Sequence, residues 1–196
     1  MGGLSLLKMA LAYPDSLHDI AGIIAHAPWI TTYSNRRPNK FLSLLINILY
    51  YIYPQFKVNT GLKISEAPYP EEYKKMAIAT GHLKSTITID VTKSSFTAMD
   101  YVIQHYDKYP DIPLLLLQGE ADDCVSPTKN IKWANKVKEL KGDIIEIVDY
   151  KEGPHDLLKS GTRKRAFEDM FSFVERVSNK PKDQKETKKQ TTNDEL

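Results

Sequence analysis

The chain has 196 residues, 41% of them hydrophobic, enough for one ordinary domain with a substantial core. Its formal charge of +2 argues against the electrostatic steering of a dedicated nucleic-acid binder, and its single cysteine, Cys124, excludes an internal disulfide. No run reaches the roughly 18 to 20 apolar residues that a membrane-spanning helix needs.

In chain order, residues 3–13 form the first predicted helix: Leu4, Leu7 and Leu11 recur at i, i+3 and i+7, and Pro14 ends it. Residues 20–25 are a short uncharged apolar run that suits a strand covered on both faces of a parallel sheet. His26-Ala27-Pro28-Trp29 then leaves the sheet, and residues 35–40 are a polar, basic break. Residues 41–53 are apolar nearly all round and are closed by Pro54; at helical rise they span roughly 20 Å. A Pro-rich tract around Ala67-Pro68-Tyr69-Pro70 precedes a predicted helix over 71–79. Residues 29–95 as a whole interrupt the alternation of strand and helix, and they read as an inserted cap.

Residues 94–109 are the next predicted helix, with Phe96, Met99, Tyr101, Val102 and Tyr106 approximating a stripe. Residues 112–118 carry the strongest buried-strand signal of the chain. An amphipathic helix is predicted over 126–140, where Ser126-Pro127 supplies an N-cap and first-turn pair. A strand over 144–149 and a last amphipathic helix over 160–177 complete the rhythm, which means an α/β fold with a parallel sheet flanked by helices. Residues 178–190 contain no apolar side chain, so the tail 178–196 is expected to be disordered. The final Asn193-Asp194-Glu195-Leu196 resembles an ER-retrieval tetrapeptide, which works only in a lumenal protein. No basic segment precedes the first helix, so a chance ending is expected, and the single cysteine fits a reducing compartment such as the cytoplasm.

Two loops carry chemistry. Gly119-Glu120-Ala121-Asp122 follows one strand, and Glu152-Gly153-Pro154-His155 follows the next. Alone, such an Asp caps its own turn and such a His is solvated, and Asp123 competes with Asp122 for any role. The pair says more, because consecutive parallel strands bring both to the carboxyl edge of the sheet, where α/β ligand sites lie. An Asp there orients the imidazole of a His that takes a serine proton. The order is that of the last two members of a Ser…Asp…His triad, whose serine belongs in a Gly-x-Ser-x-Gly turn between a strand and a helix. Met1-Gly2-Gly3 enters its helix as the second half of that turn does, so the nucleophile is expected immediately before Met1. Ser5 lies inside the helix and is no substitute.

Together these segments resemble the monoglyceride lipase family of α/β-hydrolases, whose nucleophile turn reads Gly-His-Ser-Met-Gly-Gly. The tract from Ala27-Pro28-Trp29 to Val58-Asn59-Thr60-Gly61-Leu62 is similar to the opening of that family's cap, most like its fungal members. The resemblance covers residues 1–177 and implies the C-terminal portion of an α/β-hydrolase fold with an inserted helical cap, its N-terminal strands missing. It implies a serine ester hydrolase acting on monoacylglycerols, related fatty-acid esters or lysophospholipids. Asp122 would orient His155, His155 would act as base and then as acid, and the N–H of Met1 would serve the oxyanion hole. No cofactor is implied, and no His/Cys/Glu cluster has metal-ligand spacing. Gly2 and Gly3 are no phosphate loop, because no Lys-Ser/Thr follows them.

The apolar helix bearing Phe41, Leu45 and Leu49 follows Arg36, Arg37 and Lys40. It either packs on the core or meets a lipid surface and the acyl-chain entry. Caps in the resembled family admit acylglycerols, which favours lipid and a peripheral place at a membrane or lipid-droplet surface. Without its nucleophile no acyl-enzyme forms, so the 196-residue chain alone is expected to be inactive, with an exposed sheet edge. Two other readings remain open: a non-catalytic remnant binding lipid or a partner through the cap, and a lysophospholipase or serine peptidase of the same fold.

Overall fold

A computed structural model describes residues 1–33, 37–59, 70–80 and 86–179. Its centre is a parallel sheet of three strands in the order β1 (Ile23–His26), β4 (Leu114–Gly119), β5 (Ile145–Tyr150). Every residue of β4 is buried, which is why Leu114-Leu115-Leu116-Leu117 can be apolar without alternation. Leu114 and Leu116 face helices α1 (Gly2–Ala12), α4 (Ile89–Gln104) and α5 (Pro127–Lys141), with Leu7, Met99, Trp133 and Val137 packed against them. Leu115 and Leu117 face the other way, onto Phe173 and Ala166 of α6 (Arg163–Ser178). The result is three layers, helices on both faces of the sheet, as the sequence implies.

The register aligns the carboxyl ends of the strands: His26 lies opposite Leu117, and Gly119 opposite Tyr150. The loops that carry Asp122 and His155 therefore leave the sheet side by side. α1 enters at the same edge, because a Cβ on Gly3 would lie 2.9 Å from Cβ of Pro28, in the loop leaving β1.

Helices and strands fall close to their expected places, and the departures have local causes. β4 starts at Leu114 rather than at 112 because Pro113 has no N–H to give a ladder; its carbonyl still accepts from the Ile23 N–H at 2.8 Å. α4 starts at Ile89, five residues before the expected 94. Thr88 and the Val91 N–H both donate to the Asp90 carboxylate, which fixes the first turn in a way that the side-chain stripe does not reveal. Ser126 is the N-cap residue of α5 as expected, but its hydroxyl makes no capping bond. His26 is the last residue of β1 rather than the first of a loop.

Within residues 29–95 lie α2 (Lys40–Ile52), α3 (Glu71–Ala79) and an antiparallel pair, β2 (Lys57–Asn59) with β3 (Thr86–Thr88). The pair was not foreseen: three residues per strand are too few to display a period. α2 is capped by Asn39, whose side chain accepts from the Leu42 N–H at 2.9 Å. It packs on α4 through one buried residue, Ile46, flanked by half-buried Ser43 and Asn47. Its outer face is apolar and open, with Phe41 78% and Tyr51 84% exposed and Leu44, Leu45 and Ile48 also exposed. Arg36, most of the Pro-rich tract and the tail from 180 onward, including Asn193 to Leu196, lie outside the described residues. No helix among the described residues is long and apolar enough to cross a membrane.

Candidate active site

Gly119 ends β4 where the backbone of the β5 loop crosses it. A Cβ at Gly119 would lie 2.2 Å from the carbonyl oxygen of Gly153 and 2.5 Å from that of Pro154, so no side chain fits. The two loops are then stitched together by Glu120 N–H to Tyr150 C=O at 3.0 Å and Ala121 N–H to Gly153 C=O at 2.9 Å. Glu152 holds the bend at a left-handed φ of 58°, a conformation a non-glycine residue keeps only when its surroundings impose it.

This crossing delivers the two expected side chains to each other. Asp122 is buried, and its Oδ2 lies 2.8 Å from Nδ1 of His155. His155 keeps a third of its side chain exposed. The backbone N–H groups of Cys124 and Val125 donate to Asp122 Oδ1 at 2.8 and 3.0 Å, and Gln118 Nε2 donates to Oδ2 at 3.0 Å. A buried carboxylate needs such donors to stay charged. With its other lone pairs occupied, Oδ2 receives the Nδ1–H of His155, which leaves Nε2 as the basic nitrogen. Asp123, the competing carboxylate of the sequence, lies against Cys124 Sγ at 3.4 Å, and the imidazole bond goes to Asp122.

Behind Asp122 stands a set of polar groups that sequence reasoning missed. Gln118 is wholly buried, and its Oε1 accepts from Nδ2 of the equally buried Asn130 at 3.0 Å. Asn130 Nδ2 also donates to Pro28 C=O at 2.7 Å, and its Oδ1 accepts from Thr31 Oγ1 at 2.8 Å. Tyr33 donates its hydroxyl to the Asp122 carbonyl at 2.5 Å. One signal was available: a Gln closing a run of four leucines must find partners once buried.

His26, also missed, accepts the Leu157 N–H on Nε2 at 3.1 Å and so holds the far side of the His155 loop. Burial pushes its imidazole below the ordinary value of 6.5; His155 adds to this, while Asp156 and Asp122 oppose it. The folded state thus prefers neutral His26, and only neutral Nε2 can accept. The stability this gives is complete above 6.5 and is lost as pH falls from there through the depressed folded value. Urea midpoints from about pH 8 to about pH 5 should fall on the acid side, and His26→Gln should flatten that fall. An unchanged slope in the variant would assign the acid loss to other groups.

Met1 precedes α1, with its carbonyl accepting the Ser5 N–H at 3.1 Å. Phe41 and Leu45 are exposed on α2, and Leu49 is half-buried. Asp122, Cys124 and His155 offer possible ligand atoms within 4.8 Å of one another, a grouping made by the fold and invisible in sequence spacing. Both Asp122 oxygens are already engaged, so an ion there would have to displace the bond to His155; the donor set suits a proton-transfer dyad better than a resident metal.

The family described as serine aminopeptidase, S33 matches residues 1–161. The chain belongs to that family. Among solved structures, this S33 chain is similar to a monoacylglycerol lipase of Paleococcus ferrophilus, with a TM-score of 0.73 and 23% identity over 89% of this chain and 64% of that one. It is also similar to a soluble variant of the monoglyceride lipase of Saccharomyces cerevisiae solved with a substrate analogue, at TM-score 0.65 and 15% identity, covering 87% and 62% of the two chains. These likenesses establish the α/β-hydrolase fold. The S33 chain spans less than two thirds of the length of either enzyme. No curated protein sequence matches it significantly.

Proposed function

We propose that this chain supplies the Asp–His part of a serine carboxylic-ester hydrolase of the monoacylglycerol lipase type, with the nucleophilic serine immediately before Met1. The bond of 2.8 Å between Asp122 and His155, which sets the tautomer and frees Nε2, carries the reading. Family membership, a fold shared with two enzymes described as monoacylglycerol lipases, and the open apolar face of α2 support it.

In that reaction His155 Nε2 takes the serine proton as Oγ attacks the ester carbonyl. The tetrahedral oxyanion is received by backbone N–H groups, that of Met1 among them once a residue precedes it. His155 returns the proton to the departing glycerol oxygen, and water then releases the fatty acid by the same base catalysis. Asp122, fixed by three donors besides His155, stabilises the imidazolium in both halves.

The protein carrying its natural sequence upstream of Met1 should hydrolyse monoacylglycerols faster than lysophospholipids or aminoacyl amides. A preference for aminoacyl amides would replace the ester reading with a peptidase of the kind the family description names. Peripheral attachment to lipid would use the open face of α2: Leu45→Glu combined with Leu49→Glu should weaken liposome binding on the order of a hundred-fold or more, since each leucine contributes about 1.5–3 kcal/mol when buried. Equal sedimentation of variant and parent with vesicles would remove the lipid-facing role of α2.

A further inference from the structure

The amides of Gln118 and Asn130 have only one workable orientation. Pro28 C=O can only accept, so the group of Asn130 that faces it at 2.7 Å must be Nδ2. That same nitrogen reaches Gln118 at 3.0 Å, which makes the facing atom Oε1. Gln118 Nε2 is thereby turned to Asp122 Oδ2 at 3.0 Å and to Gly119 C=O at 3.2 Å, both of which only accept. At the other end Thr31 Oγ1 closes the set on Asn130 Oδ1 at 2.8 Å. Gln118 and Asn130 are wholly buried, and Thr31 is buried too, so water does not compete for these bonds.

We infer that Gln118 and Asn130 form a polarised relay that positions Asp122 and ties it to the root of the cap. The relay runs from residues 28–31, where the chain leaves β1 for the cap, across the first turn of α5 and the end of β4, to the carboxylate. Tyr33, two residues further into the cap, reaches the backbone of Asp122 itself. Gln118 shares Oδ2 with His155, so the relay sets how strongly that oxygen draws the Nδ1 proton. Gln118 and Asn130 are positioning residues: neither touches the reacting atoms. This inference rests on the dyad reading above, but its test reads a proton and not turnover, so the two can fail separately.

The test is the His155 Nδ1 proton, read by NMR in the protein carrying its natural sequence upstream of Met1, with ring nitrogen shifts reporting the tautomer. Gln118→Met removes one of two donors on Oδ2 at similar volume, and the His155 proton should move downfield as it takes a larger share of the oxygen. Asn130→Leu touches neither Asp122 nor His155, yet it unpins Gln118 and should move the resonance the same way by a smaller amount. In the Gln118→Met background, Asn130→Leu should add nothing, because its route has been cut. Thr31→Val, milder and farther away, serves if Asn130→Leu does not fold, and its shift should likewise vanish in that background. A folded Asn130 or Thr31 variant with an unmoved proton, or shifts that simply add, would overturn the relay.

Discussion

Gly119→Ala is expected to destabilise the protein by about 3 kcal/mol or more and to separate Asp122 from His155. The atoms a methyl would meet are backbone carbonyls of Gly153 and Pro154, at 2.2 and 2.5 Å, and not the ends of flexible side chains. Relief requires the β4 and β5 loops to part, which breaks the Ala121 to Gly153 bond of 2.9 Å that holds the dyad loops together. Urea unfolding and the His155 Nδ1 proton should both register the change. Gly161→Ala is the control, since a Cβ there meets nothing within 4 Å. A Gly119→Ala protein with parental stability and an unchanged His155 resonance would show that this crossing does not hold the site.

Asp122→Asn is expected to lower kcat of the full-length hydrolase on a soluble short-chain ester by about 10⁴, with little change in KM. The carboxylate accepts from Cys124 N–H, Val125 N–H, Gln118 Nε2 and His155 Nδ1. An amide cannot accept from all four: its NH₂ must face either the two backbone donors or Gln118 and His155. The second arrangement reverses the imidazole, putting the proton on Nε2, where the serine proton has to go. The first leaves two buried N–H groups facing another donor and costs stability, roughly 1–3 kcal/mol for each group. A loss of ten-fold or less would mean that Asp123 or another carboxylate can take over.

The strand and helix order was legible because β4 is an uninterrupted apolar run and the helices carry wide apolar stripes. Asp122 and His155 were legible because parallel strands must place their following loops together. What stayed hidden depends on long-range contact. Asn130 and Thr31 lie 99 positions apart, and His26 and Leu157 lie 131 apart, so no local pattern could couple them. The direction of α2 was equally hidden: a helix apolar nearly all round does not say which side meets the body, and the structure turns Ser43 and Asn47 inward while leaving Phe41, Leu45 and Tyr51 outside. The start of α4 was missed because its first turn is fixed by the Asp90 carboxylate, which accepts from the Thr88 hydroxyl and the Val91 N–H, bonds that a search for apolar periodicity passes over.

The central claim is that Asp122 and His155 serve a serine placed just before Met1. Its most direct test is labelling the protein from its natural source with a fluorophosphonate and mapping the modified peptide. The account predicts a single labelled serine whose next residue is Met1, with labelling abolished by His155→Ala in the recombinant full-length protein. Labelling of a serine elsewhere, or a natural protein that begins at Met1 and does not react, would contradict it.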